Sequence, residues 1–191
     1  MALISIIGTG NMGQAIASVV TRGGNELELF GETDAATPVR GDIVVLAVPY
    51  PAVDQVLAQR PGQFDGRIVV DITNPLNFET FDSLTVPADS SAAALLAAKL
   101  PAARVLKAFN TTFAGTLAAG AVGPLTTTVL IAGDDADAKA ALAGVVTAGG
   151  LKAIDAGSLR RARELEAIGF LQITLAAGEK ISWTGGFGIV A

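Results

Sequence analysis

Glycines 8, 10 and 13, in Gly8-Thr9-Gly10-Asn11-Met12-Gly13, have the spacing that lets backbone N–H groups close around a phosphate. The segment leaves an apolar run, Ala2 to Ile7. It opens a stretch, Asn11 to Arg22, in which Met12, Ile16, Val19 and Val20 recur at helical spacing. In that setting the first glycine makes the tight turn and the second admits a pyrophosphate to the backbone. The third lets helix and strand approach each other. The helix N-terminus adds unpaired N–H groups and a partial positive charge. A glycine turn that holds no ligand is the plainer reading of the same six residues.

A carboxylate follows at a matching distance. Glu32 lies 19 residues beyond Gly13, just after a second short apolar segment, Leu27 to Phe30. A ribose-binding acid is expected about 20 residues on, where it accepts the sugar hydroxyls and repels a 2′-phosphate. Thr33 stands next to it, and Arg40 is a cation within reach of the same loop. Three more turns follow apolar strands: Ala47-Val48-Pro49-Tyr50, Ile72-Thr73-Asn74-Pro75 and Ala108-Phe109-Asn110-Thr111-Thr112. Each alone is ordinary loop chemistry. Together, on the carboxyl edge that also carries the glycine turn, they outline one cleft.

Composition excludes much else. The chain has 191 residues, no histidine and no cysteine, so Ser–His hydrolysis, disulfides and thiolate chemistry are absent. No metal site and no catalytic side chain is expected. The net charge of −5 argues against a nucleic-acid partner. Hydrophobic residues reach 51% and charged ones only 16%. No uninterrupted apolar stretch approaches the roughly 18 residues of a spanning helix. The N-terminus lacks a basic region and a cleavage site, so it reads as a strand, and no membrane contact is expected. The compartment expected is the cytoplasm.

The elements that must position these turns alternate as strand, helix, strand. Expected strands are Ala2–Ile7, Leu27–Phe30, Ile43–Val48, Arg67–Ile72, Val105–Ala108, Thr127–Ala132 and Leu151–Ile154. Expected helices are Asn11–Arg22, Ala52–Arg60, Ser91–Leu100, Asp135–Ala148 and a last one from a Ser158 cap to about Lys180. Gly31 to Asp42, with Pro38, reads as a loop. The pattern predicts an α/β protein with a Rossmann, doubly wound, mainly parallel sheet and a short C-terminal helical appendage. The sheet unit is expected over 1–157 and the appendage over 158–191. In the last helix, charged residues including Arg160, Arg161, Arg163, Glu164 and Glu166 suggest a solvated face. Leu165, Ile168, Leu171 and Leu175 form the apolar stripe opposite, for the core, the substrate pocket or a dimer.

Five segments in this order carry a wider likeness: Ile7–Gly13, Leu46–Pro49, Val70–Pro75, Lys107–Thr111 and Asp155–Leu159. Together they resemble the NADPH-dependent coenzyme F420 reductase family, whose relatives include the cytosolic domains of membrane ferric reductases. The resemblance implies a homodimer or larger oligomer. It also implies a nicotinamide over the turns after the fourth and fifth strands, near the Ala108–Asn110 backbone, and a small-molecule electron acceptor in a neighbouring cleft. NADP-binding relatives carry a serine–arginine pair after the second strand. Here Gly31-Glu32-Thr33 stands in its place, which leaves NADP or NAD as the cofactor.

The function expected is hydride transfer between NAD(P)H and a flavin or a deazaflavin such as F420. Positioning of two rings suffices for it, so the lack of histidine is no obstacle. An imine reductase of the pyrroline-5-carboxylate type and a non-catalytic dinucleotide sensor are the alternatives. Only 34 residues follow the sheet, fewer than the long helical domain of such imine reductases.

Overall fold

The computed structural model describes residues 1–190. In chain order its elements are β1 (Leu3–Ile7), α1 (Asn11–Arg22), β2 (Glu26–Phe30), β3 (Ile43–Leu46), α2 (Val53–Gln59) and β4 (Ile68–Asp71). There follow α3 (Ala92–Lys99), β5 (Arg104–Lys107), α4 (Ala114–Ala119), β6 (Ala121–Val122), β7 (Leu125–Thr126), β8 (Thr128–Gly133), α5 (Ala136–Ala148), β9 (Lys152–Gly157) and α6 (Ala162–Ala177). Seven strands form one sheet in the order β2-β1-β3-β4-β5-β8-β9, and β6 and β7 form a separate hairpin. Pairing in the large sheet is parallel except between β5 and β8.

The central strands are buried on both faces, which is why they read as unbroken apolar runs. In β3, Ile43 and Val45 join Ile16, Val20 and Leu142 in one core. Val44 and Leu46 join Phe30, Val56 and Leu96 in the other. Helices α1 and α5 cover the first face, α2 and α3 the second. From β1 the chain crosses to β2 on one side and returns to β3 on the other. The carboxyl ends of β1 and β3 therefore flank the crevice in which ligands bind in such sheets. Gly8 to Gly13 occupies that point.

The sequence had assigned nothing to residues 113–126. They hold α4, closed by Gly120 at φ +72°, and the β6–β7 hairpin, whose turn uses Gly123 at φ +57°. Gly31 to Asp42 is the expected loop with a single 3-10 turn at Glu32–Asp34.

The last helix differs from expectation in two ways. It starts at Ala162, after a 3-10 turn at Leu159–Arg161, and ends at Ala177; the Ser158 side chain makes no capping bond. Its buried face is Ala162, Leu165, Glu166, Gly169, Gln172 and Ala176, so Glu166 does not belong to a solvated face. Of the apolar stripe, Leu165 is buried, whereas Ile168 and Leu171 are 37% and 51% exposed. Small and polar residues let α6 lie close to the sheet edge. A Cβ at Gly169 would stand 2.2 Å from Asn74 Oδ1. Among the described residues no helix is long and apolar enough to cross a membrane.

Candidate functional site

The three glycines of the first turn have distinct reasons to be glycine. Gly8 adopts φ +122°, and a Cβ there would lie 2.1 Å from the Ala47 carbonyl oxygen. A Cβ on Gly13 would lie 1.9 Å from the Gly8 oxygen, so only glycine lets α1 come this close to β1. Gly10 is different. It has φ −71° and ψ −175°, and a Cβ on it would meet nothing within 4 Å. The space beside Gly10 is open, and no side chain caps α1. Gly10, which precedes this 12-residue helix, lines an open groove, and free N–H groups at a helix N-terminus suit a pyrophosphate.

That groove, about 380 Å³, runs between the ends of β1, β2 and β3. It is lined by Gly8, Thr9, Gly10, Glu32, Ala47, Val48 and Pro49 together with Phe30 and Arg60. Glu32 lies exposed on its 3-10 turn, and Thr33 is exposed outside the lining. Asp34, missed from sequence, accepts the Gly31 N–H at 2.7 Å and is half-buried. Two carboxylates therefore follow β2. Arg40 does not line the groove; its guanidinium and its backbone N–H both donate to Glu28, which also accepts from the Ser5 hydroxyl. Arg60, also missed, is 2% exposed. It donates to the Asp34 and Thr37 carbonyls at 2.8 and 2.6 Å, and it lies 4.9 Å over the Phe30 ring. Burial pulls its pKa below the ordinary value, and Asp34 counters in part. No periodicity in the sequence marks Arg60, because what it binds is loop backbone more than twenty residues away.

A second, larger cavity of about 710 Å³ opens on the other side of the Gly8–Gly13 turn. Asn11 and Met12 line it from α1, and Asn74 and Asn110 from the turns after β4 and β5. Those two turns are locked together. Asn74 Nδ2 donates to the Asn110 carbonyl at 2.9 Å, and Asn110 Nδ2 donates to Asn74 Oδ1 at 3.0 Å and to the Leu165 carbonyl at 2.8 Å. Thr73 Oγ1 and Asn110 Oδ1 are buried without a partner; Asn110 lines the cavity, where a polar ligand would satisfy its Oδ1. Thr73, Pro75, Ala108 and Phe109 are buried and line neither cavity. Phe109 takes a left-handed φ of +63°, and its carbonyl accepts from the Thr112 N–H and hydroxyl.

Beneath the two turns lies an ion cluster that the sequence did not reveal. Lys107 Nζ meets Asp71 Oδ2 at 2.9 Å, Glu166 Oε1 at 2.8 Å and the Thr73 carbonyl at 2.6 Å. All three side chains are 2% exposed or less. Glu166 also accepts the Ala92 and Ala93 N–H groups at the start of α3, and Asp71 Oδ1 accepts the Thr73 N–H. Burial pushes the Glu166 carboxyl above the usual carboxylate range, against the pull of Lys107 and the Ala92 N–H. The cluster fixes the turn after β4 to α3 and α6. A lysine ending one strand, an aspartate ending its neighbour and a glutamate in a distant helix give no local sequence signal.

Of the segment Trp183 to Gly188, Trp183 and Thr184 line the larger cavity. The Trp183 ring lies 4.9 Å from Phe113. Gln172 holds the strand of tail, accepting the Phe187 N–H at 2.9 Å and donating to the Thr111 carbonyl. Gly115 leaves room for it, since a Cβ there would stand 3.1 Å from the Trp183 carbonyl oxygen. Among the described residues lining this cavity none is titratable. Tyr50 and Lys107 do not line it, and among the described residues no His, Cys, Asp or Glu cluster could hold a metal.

Comparisons with known proteins agree with this geometry. A family model described as NADP oxidoreductase, coenzyme F420-dependent, matches residues 28–75, from β2 to the turn after β4. The F420-dependent NADP reductase of Methanocaldococcus jannaschii is 29% identical over 171 residues, covering 87% of this chain and 76% of that protein. Metalloreductase STEAP3 of Rattus norvegicus is 40% identical over 106 residues, which is 56% of this chain and 20% of that much longer protein. The crystal structure of a candidate F420-dependent NADP-reductase from Arthrobacter sp. FB24 superposes with a TM-score of 0.83, covering 98% of this chain and 99% of that one at 24% identity. That last likeness is one of fold. By sequence the chain is similar to coenzyme F420-dependent NADP oxidoreductases, over residues 28–75 for the family model and over most of its length for the Methanocaldococcus jannaschii reductase.

Proposed function

We propose that the protein transfers a hydride between NAD(P)H and a flavin or deazaflavin acceptor, by holding two rings face to face. The observation that carries this reading is a cavity beside the glycine turn that has no titratable side chain in its lining. Reduction of a carbonyl or an imine calls for a positioned proton donor, whereas transfer to a flavin-type ring needs alignment. When bound, the dihydronicotinamide supplies the hydride. The chain's part is to seat the pyrophosphate on the Gly10–Gly13 amides, to place the nicotinamide against Asn74 and Asn110, and to exclude water with Trp183 and Phe113. Mixing the purified protein with NADH or NADPH and a panel of flavins, and following nucleotide absorbance, tests the reading. Bound nucleotide that is never oxidised would leave a non-catalytic binding module.

Cofactor choice turns on the end of β2. Relatives bear NADP in their names. Here Glu32 lines the groove after β2, and the cation lining it, Arg60, already donates to two carbonyls. A carboxylate within a few ångströms of the phosphate costs on the order of 1–4 kcal/mol. NADH and NADPH are both expected to bind, NADH the more tightly, with discrimination below about a hundredfold, or 2.7 kcal/mol. Glu32→Ser should shift the ratio of the two dissociation constants toward NADPH. A ratio that does not move would show that Glu32 faces solvent and plays no part in the choice.

The proposed assembly is a homodimer and the proposed compartment the cytoplasm. Ile168 and Leu171 stand exposed on α6 within one turn of each other, an apolar face that a second copy would cover. Light scattering at micromolar concentration should give twice the chain mass, and Leu171→Glu should return it to one. A monomeric wild type would contradict the proposal.

A further inference from the structure

Trp183 and Thr184 reach the lining of the larger cavity from a stretch of chain that little holds in place. After α6 the backbone turns at Glu179, whose φ is +56°, and Ser182–Gly188 then passes over α4 and the β6–β7 hairpin. A Cβ on Gly115 would stand 3.1 Å from Thr184 Cγ2, and one on Gly188 2.6 Å from Leu125 Cδ1. The path is close-fitting, yet none of residues 181–190 is buried. Among the described residues one hydrogen bond joins that stretch to the rest of the chain, from the Phe187 N–H to Gln172 Oε1 at 2.9 Å. Its other bonds, such as Gly185 N–H to the Ser182 carbonyl and Thr184 N–H to the Ser182 hydroxyl, close a turn inside the segment. Few buried contacts and a single tether place a segment at the low end of local stability.

The tether, by contrast, is firmly seated. Gln172 is 2% exposed, and its one amide both donates to the Thr111 carbonyl and accepts the Phe187 N–H. It thereby joins the segment to the turn after β5, whose Asn110 and Thr112 line the larger cavity. Gly186 permits the approach: its φ is +129°, and a Cβ on it would stand 2.9 Å from Gln172 Oε1. Any other residue there is strained as well as crowded. Thr112, 9% exposed, lines both the cavity and the seam beneath Gly185, Gly186 and Phe187.

We propose that Ser182–Gly188 is a strap over the larger cavity, that Gln172 is its latch, and that small molecules enter and leave as the strap lifts. Lifting breaks one hydrogen bond and the contact between Trp183 and Phe113, and it leaves the sheet and α6 as they are. The Phe187 N–H then bonds to water, so the net cost is far below that of unfolding. Lifting governs entry alone and occurs whether or not a hydride is transferred inside.

The chain has no cysteine, so Thr112→Cys sets a single thiol beneath the strap. Its rate of labelling by N-ethylmaleimide, followed by mass, reads how often the strap lifts. In the folded chain labelling should be at least about tenfold slower than in the urea-unfolded chain. It should also be insensitive to urea below the unfolding transition, because lifting exposes little surface. Gln172→Met keeps the bulk of the latch and removes its bonds, and should speed labelling about fivefold, the worth of one hydrogen bond. Gly186→Val, in the strap itself, should speed it at least as much while the thermal midpoint stays that of the parent. Acrylamide should quench Trp183, the single tryptophan, more strongly in both variants. Should Gln172→Met fail to fold, Gly186→Val decides alone. Labelling as fast as in the unfolded chain, labelling that rises with urea in step with unfolding, or a rate that Gly186→Val leaves unchanged would overturn the strap. A rate raised by Gly186→Val but not by a folded Gln172→Met would overturn the latch.

Discussion

Lys107→Met should destabilise the fold by about 3–5 kcal/mol, the usual cost of removing one partner from a buried ion pair. The substitution keeps the volume of the side chain and removes only its charge. Asp71 and Glu166 would then face each other in a site where Lys107 is now wholly enclosed. Against a total stability of about 5–15 kcal/mol the loss is large. It should appear as a lowered urea midpoint with an unchanged slope. The pH dependence follows from Glu166. Burial holds its folded pKa above the ordinary 4.5, so the native state binds this proton more readily than the unfolded state. Its contribution is full below that ordinary value and is lost as pH rises through the raised one. Without the ammonium the raised value climbs further, so the Lys107→Met deficit should be smaller near about pH 5 than near about pH 8. A deficit that is equal at both, or below about 1 kcal/mol, would mean that the cluster contributes little beyond packing.

Gly10→Val should abolish most dinucleotide binding while leaving the fold intact. The backbone at Gly10 has φ −71° and ψ −175°, which valine adopts without strain, and its Cβ would meet no atom of the chain within 4 Å. The thermal midpoint of the variant should therefore match the wild type. The branched side chain would project into the space beside the α1 N-terminus, where a pyrophosphate must touch backbone. A loss of at least tenfold in affinity, about 1.4 kcal/mol, is expected. Gly13→Val makes the contrasting control. Its Cβ would overlap the Gly8 oxygen at 1.9 Å, so that variant should lose the fold itself.

The parts of the molecule legible in the sequence are those with local causes. Helix α1 falls on its expected residues because Ile16, Val19 and Val20 repeat at helical spacing between a glycine turn and Gly23. The strands β1, β3, β4 and β5 announce themselves because both their faces are buried, leaving no polar alternation to confuse them with helix. The glycine turn and the turns after β3, β4 and β5 gather on one sheet edge, as their order implied.

What escaped had distant causes. Helix α4 is six residues of alanine, glycine, threonine and leucine, too short for a periodic signal. In α6, Ile168 and Leu171 pointed to the wrong face, because Gly169 and Gln172 were needed against Asn74 and the tail. Glu166 read as a solvated charge and its pairing with Lys107 went unseen, since it joins positions 59 residues apart. Arg60 and Asp34 were passed over in favour of Arg40 and Glu32 for the same reason. Which charged residue turns inward is decided by tertiary neighbours, not by spacing.

Binding of a nicotinamide dinucleotide across the Gly8–Gly13 turn is tested most directly by calorimetric titration of NADH and NADPH into the wild-type chain and into Gly10→Val. The wild type should bind one nucleotide per chain with a dissociation constant roughly between 1 µM and 1 mM, the span of typical enzyme–substrate pairs. The variant, equally folded, should bind at least tenfold more weakly. A wild type that takes up neither nucleotide, or a folded variant of unchanged affinity, would contradict the assignment of that turn to a dinucleotide.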